Sequence, residues 1–153
     1  MLPGNDQKVK KLRIPCQHVG LFVHNLKKMN RFYTKELGFA ALRDYVVDAK
    51  MTRFIFGIDA ACRIQYLQKG DFGLELFYFY HTKLRKLRNK ISGLNHWAFL
   101  VADKEDFCRR LAKKGIKVIR IPKPHGYTYF IKDPESNMLE VKSYELTGQA
   151  ERY

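Results

Sequence analysis

The 153-residue sequence has no apolar run near the ~18 residues that a membrane-spanning helix needs. Its opening, Met-Leu-Pro-Gly-Asn-Asp-Gln, is followed by no apolar stretch, so a signal peptide is not expected and a soluble, cytoplasmic protein is. Cysteine is scarce. Cys16, Cys62 and Cys108 are odd in number and form no Cys-x-x-Cys pair, which argues against a disulfide framework and a structural zinc knuckle. Three reduced, mostly buried thiols are expected, with Cys16 set apart because it shares a strand face with His18. Acidic residues are few: 15 against 29 basic, for a formal charge of +14. That balance attracts anions. The basic residues are nevertheless dispersed over what would be solvated helix faces, and nothing resembles a helix-turn-helix or an aromatic-basic RNA motif. A small anionic molecule is the expected partner; nucleic acid and membrane are not.

What the chain does contain is one unit written twice. Gln17 to Val23 (Gln-His-Val-Gly-Leu-Phe-Val) and Gly93 to Val101 (Gly-Leu-Asn-His-Trp-Ala-Phe-Leu-Val) both read as strands with a single histidine near the start. A polar turn and a basic helix follow each. In the first copy, Asn25 can cap a helix whose apolar positions are Leu26, Met29, Phe32, Tyr33 and Leu37, and Gly38 can end it. Strands are then expected over 40–47, 51–58, 62–67 and 72–79. In the second copy, Asp103 caps a helix over 104–114 that Gly115 stops, and strands follow over 117–121, 127–132 and 138–144. The chain divides accordingly into a mobile basic arm (1–13), a first βαβββ module (14–80), a linker (81–91), a second module (92–145) and a tail (146–153). A half of ~65 residues buries too little surface to stand alone. The expected fold is therefore α+β: two βαβββ modules form a curved mixed sheet around a concavity, joined within one chain or across a homodimer.

Strand phase selects the residues that enter the concavity. Val19, Leu21 and Val23 belong under the first helix, which turns His18 the other way; Trp97, Phe99 and Val101 do the same for His96. The closing strands each hold a glutamate between aliphatic residues, Glu75 between Leu74 and Leu76, and Glu140 between Leu139 and Val141. Two imidazoles and two carboxylates on one surface suit a divalent transition metal such as zinc, nickel, manganese, iron or cobalt. His24 lies too far along its strand to join them. It is expected, with His81 and His125, to be an exposed polar residue. Phe77, Phe79, Tyr127, Tyr129 and Tyr144 are aromatic positions that could line a pocket.

The chain resembles the vicinal oxygen chelate superfamily, which includes glyoxalases, methylmalonyl-CoA epimerases, ring-cleaving dioxygenases and bleomycin or fosfomycin resistance proteins. The matching segments are His18-Val-Gly-Leu-Phe-Val, Arg31-Phe-Tyr-Thr-Lys-Glu-Leu-Gly-Phe39, Gly73-Leu-Glu-Leu76, Gly93-Leu-Asn-His96 and Asp133-Pro-Glu-Ser-Asn-Met-Leu-Glu140. They extend over residues 14–145. The resemblance implies that His18, Glu75, His96 and Glu140 are the metal ligands, in the pattern of a glyoxalase; epimerases of the family carry glutamine at the position of Glu75. It also implies a lyase or isomerase that acts through an enolate, with Glu140, or alternatively Glu75, moving the proton. A non-heme iron dioxygenase and a drug- or metabolite-sequestering resistance protein are the alternatives. One position departs from the glutathione-using bacterial glyoxalases, which carry arginine four residues after the first histidine ligand where this chain has Phe22. Phe22 and Lys142 are the candidate substrate contacts, Lys142 being chosen from the strand cations Arg53, Arg63, Arg120, Lys132 and Lys142 because it shares the Glu140 face.

Overall fold

Short polar caps and left-handed glycines cut the chain into two similar sets of elements. The computed structural model describes residues 16–82, 94 and 96–144; the expected basic arm, most of the linker and the C-terminal tail lie outside the described residues. The first module comprises β1 (His18–Phe22), α1 (Leu26–Arg31), β2 (Ala40–Val47), α2 (Ala49–Phe56), β3 (Cys62–Lys69) and β4 (Phe72–Phe79). The second comprises β5 (His96–Val101), α3 (Lys104–Lys113), β6 (Val118–Pro122), β7 (Tyr127–Lys132) and β8 (Met138–Ser143). Each module forms its own four-stranded mixed sheet, ordered β1-β4-β3-β2 and β5-β8-β7-β6. The first and last strands of each module pair in parallel, and the remaining pairs are antiparallel.

The helix boundaries follow from side-chain chemistry. Asn25 Oδ1 accepts from the Lys28 amide at 2.9 Å, and Asp103 Oδ1 accepts from the Glu105 and Asp106 amides at 2.9 and 3.0 Å. Gly38 and Gly115 take φ of 72° and 79°, a conformation open to glycine without strain. After α1 the backbone widens into a π turn over Phe32–Glu36, which lets the adjacent Phe32 and Tyr33 both face inward.

One expected element is corrected. Residues 51–58 do not form a strand; Ala49–Phe56 is the helix α2. Asp48 accepts from the Met51 amide at 2.8 Å, Gly57 closes the other end at φ 70°, and buried Thr52 donates its hydroxyl to Ala60 O at 2.7 Å. These local hydrogen bonds outweigh the strand preference of Phe54, Ile55 and Phe56.

The α1 face of the first sheet and the α3 face of the second share a single core. Val23, Met29, Tyr33, Leu74 and Leu76 from the first module join Cys108, Leu111, Ile131, Leu139 and Val141 from the second. Trp97 bridges them, 5.2 Å from Phe72 and 6.3 Å from Tyr33 between ring centroids. Polar latches reinforce the seam. Tyr33 donates its hydroxyl to buried Asp133 at 2.9 Å, and the Glu135 carboxylate accepts from the His24 and Asn25 amides at 2.8 and 2.7 Å. Cys62 and Cys108 are buried and Cys16 is exposed, all as free thiols. Among the described residues, no helix is long and apolar enough to cross a membrane.

Candidate metal centre

Parallel pairing decides which side chains meet on the outer face of each sheet. In the first module His18 lies opposite Gly73 and Gly20 opposite Glu75; in the second His96 lies opposite Met138 and Ala98 opposite Glu140. Each carboxylate thus stands two residues beyond the partner of its histidine, facing a residue with almost no side chain. It has room to lean towards the imidazole. His18 Nε2 is 3.5 Å from Glu75 Oε2, and His96 Nε2 is 3.5 Å from Glu140 Oε2. That spacing exceeds an ordinary hydrogen bond. It approaches the ~3.0–3.4 Å between two atoms that each bind one ion at ~2.1 Å.

The imidazoles are 41% and 36% exposed, whereas the carboxylates beneath them are 17% and 11% exposed. Gln17 Oε1 lies 2.6 Å from His18 Nδ1. A hydrogen on Nδ1 satisfies this contact and leaves the Nε2 lone pair on the Glu75 side, the arrangement a ligating histidine needs. Gln17 was not expected from the sequence, although its place beside the histidine was a usable signal. Tyr45 also joins the site, its hydroxyl donating to Glu75 Oε1 at 3.4 Å. Burial, and then the Glu75 charge, raise the Tyr45 phenol above its ordinary value, so it remains a donor. On the second pair, the Phe130 ring meets His96 edge-on at 5.3 Å.

Of the two expected arrangements, within one chain or across a homodimer, the described residues do not show the four donors gathered within one chain. Because the α1 face of the first sheet packs on the α3 face of the second, the two pairs occupy faces turned away from the common core. Among the described residues, no group of three or more His, Cys, Asp or Glu is placed to hold an ion. The chain carries two matching pairs of one histidine and one glutamate.

The remaining sequence-derived positions separate by their partners. Phe22 stands beside the first pair and lines the same cavity. Lys142 lies on β8 two residues beyond Glu140 and so on the same face. Arg63 forms a bidentate pair with Asp44 at 2.8 and 2.7 Å, Arg53 faces Asp59 at 3.8 Å, and Arg120 stacks over Tyr127 at 3.4 Å. His24 is exposed and contacts Glu135 through Nδ1 at 3.1 Å. Phe77 lines the cavity, while Phe79 and Tyr129 are buried.

A family model described as Glyoxalase/Bleomycin resistance protein/Dioxygenase superfamily matches residues 16–141. The chain belongs to this superfamily. The matched span contains both His–Glu pairs of this superfamily member. Its fold is that of a glyoxalase family protein from Enterococcus faecalis, with 25% identity, a TM-score of 0.64, and coverage of 83% of this chain and 95% of that one. The trypanothione-dependent glyoxalase I of Leishmania major shares the fold at 21% identity and a TM-score of 0.63, covering 86% and 87% of the two chains. So does TnmS3, an antibiotic-binding protein from Streptomyces sp. CB03234, at 19% identity and a TM-score of 0.58, covering 86% and 96%. No curated protein matches the chain.

Proposed function

We propose that this superfamily member is a metal-dependent lyase or isomerase, glyoxalase-like in chemistry, acting on a small oxygenated molecule. One observation carries the reading: a histidine and a glutamate recur in both modules with the same register and the same 3.5 Å separation. Two donors are too few for a transition ion, which takes four or more ligands. A homodimer solves this if a two-fold axis sets the first module of one copy against the second module of the other, making two equal sites. His18 and Glu75 would then come from one chain, and His96 and Glu140 from its partner. A divalent ion held by these residues would supply Lewis-acid charge to an oxygenated substrate.

Within such a site the residues divide the work. His18, fixed by Gln17, and His96, held against Phe130, orient the donors. One oxygen of Glu75 is committed to the Tyr45 hydroxyl, which leaves Glu140 as the carboxylate that takes and returns a proton at a carbon beside the substrate's oxygens. Lys142, on the Glu140 face, meets a negative group of the substrate.

Metal analysis of untagged protein tests the reading. About one equivalent of divalent metal per chain is expected for two sites in each two-fold pair; a content below about one-tenth of that refutes it. Metal-loaded protein should also exchange the C–H of an α-hydroxy or α-keto carbonyl compound with deuterium from solvent, and Glu140→Gln should slow this by about 10²–10⁴-fold. A sequestering role is the second reading, favoured by the apolar cavity beside His18. Tight ligand binding without any exchange would select it.

A further inference from the structure

His18 and Glu75 line a cavity of about 510 Å³, a volume within the range of small-molecule sites. Its walls are apolar: Phe22, Phe56, Phe77, Met51, Ile55 and Ile64. The three phenylalanine rings meet edge to face, with centroids 5.2 to 5.9 Å apart. The polar groups are gathered at Glu75, where His18 and the Tyr45 hydroxyl converge, while Thr52 is spent on backbone carbonyls. No lysine or arginine is among the described residues that line the cavity, although the chain carries a charge of +14. Phe22, Met51 and Ile55 at its mouth are 45%, 50% and 56% exposed. Apolar surface left open beside a polar end is surface that a ligand with one apolar end would cover.

We infer that the substrate carries an aromatic group, seated against Phe22, Phe56 and Phe77, next to two neighbouring oxygens directed at His18 and Glu75. The placement of the oxygens rests on the proposed metal site; that of the aromatic group rests on the cavity alone. A phenyl ring fits the volume and presents its face or edge to rings already arranged edge to face. A free negative group is not expected in the apolar part of this cavity, because no lysine or arginine is among the described residues that line it. The expectation of an anionic substrate is thereby confined to the Lys142 side, on the other module.

Benzohydroxamate and acetohydroxamate separate the two parts of the inference, since both offer a metal two adjacent oxygens and they differ only in phenyl against methyl. Calorimetric titration into zinc-loaded protein should show benzohydroxamate binding at least about tenfold tighter, the gain from burying one ring. Ile55→Glu, at an exposed position on α2, should bring that ratio toward one. A ratio near one in the wild-type protein overturns the aromatic assignment and leaves the metal site standing. If neither hydroxamate binds, the metal site fails, and 4-fluorotoluene added to zinc-free protein decides the cavity. Broadening of its fluorine resonance that Ile55→Glu removes supports the aromatic seat; no broadening overturns it.

Discussion

Co-expression of two crippled chains asks directly whether the His–Glu pairs complete one another. In His18→Ala/Glu75→Ala the first pair is removed; in His96→Ala/Glu140→Ala the second is. Each variant alone can build only composite sites with two of four donors, and should hold almost no metal. A mixed pair contains one site with all four donors and one with none. Random association makes about half of all pairs mixed, so the mixture should hold about one-quarter of the wild-type metal per chain. Mixed pairs isolated through a tag on one chain should hold about half. The histidines are more than a third exposed, so their removal opens no core cavity. Metal is measured by plasma emission after gel filtration into metal-free buffer. The cross-chain geometry is refuted if isolated mixed pairs bind no more than either parent, or if either parent keeps a full complement.

Other perturbations reach different parts of the molecule. Gln17→Ala should weaken zinc binding by about 10–100-fold, read by competition with a chelator, because His18 loses the contact that fixes its ring. Tyr33→Phe removes a buried hydrogen bond to a carboxylate and should cost about 1.5–3 kcal/mol in urea denaturation. Burial first, and then the Asp133 charge, push the Tyr33 phenol far above its ordinary value of 10.0, so the folded chain keeps it neutral. An unfolded chain ionises it above that pH. Wild-type stability should therefore fall as pH rises past 10, and Tyr33→Phe should lack that part of the slope. Burial raises the Cys62 and Cys108 thiols to about 11, so a thiol reagent at neutral pH should modify Cys16 alone in the native protein and all three cysteines after unfolding.

The two pairs were legible in the sequence because a period of two fixes which face a strand residue occupies. His18 and Glu75, like His96 and Glu140, each alternate with apolar residues that the core claims. Asn25, Asp103, Gly38 and Gly115 were legible for a similar reason, since caps and left-handed turns are decided within four residues. Helix α2 was missed because Phe54, Ile55 and Phe56 form a strand-like apolar run. Asp48 and Gly57, spaced as a cap and a stop, were the signals that identify it. How the modules meet was not legible at all. Tyr33 finds Asp133 and His24 finds Glu135 across about a hundred residues, and no local pattern announces such contacts. Those contacts turn the two outer faces apart, so that each carries one histidine and one glutamate.

Helix α2 has no counterpart among the described elements of the second module, so the duplicated scaffold is lopsided. In a composite site, this makes one half a contoured seat and the other a plainer face with a lysine. Substitutions along Met51, Ile55 and Phe56 can then reshape what the seat admits while Glu140 and His96, contributed by the neighbouring chain, stay untouched. Selectivity and proton chemistry would be free to diverge on separate polypeptide segments.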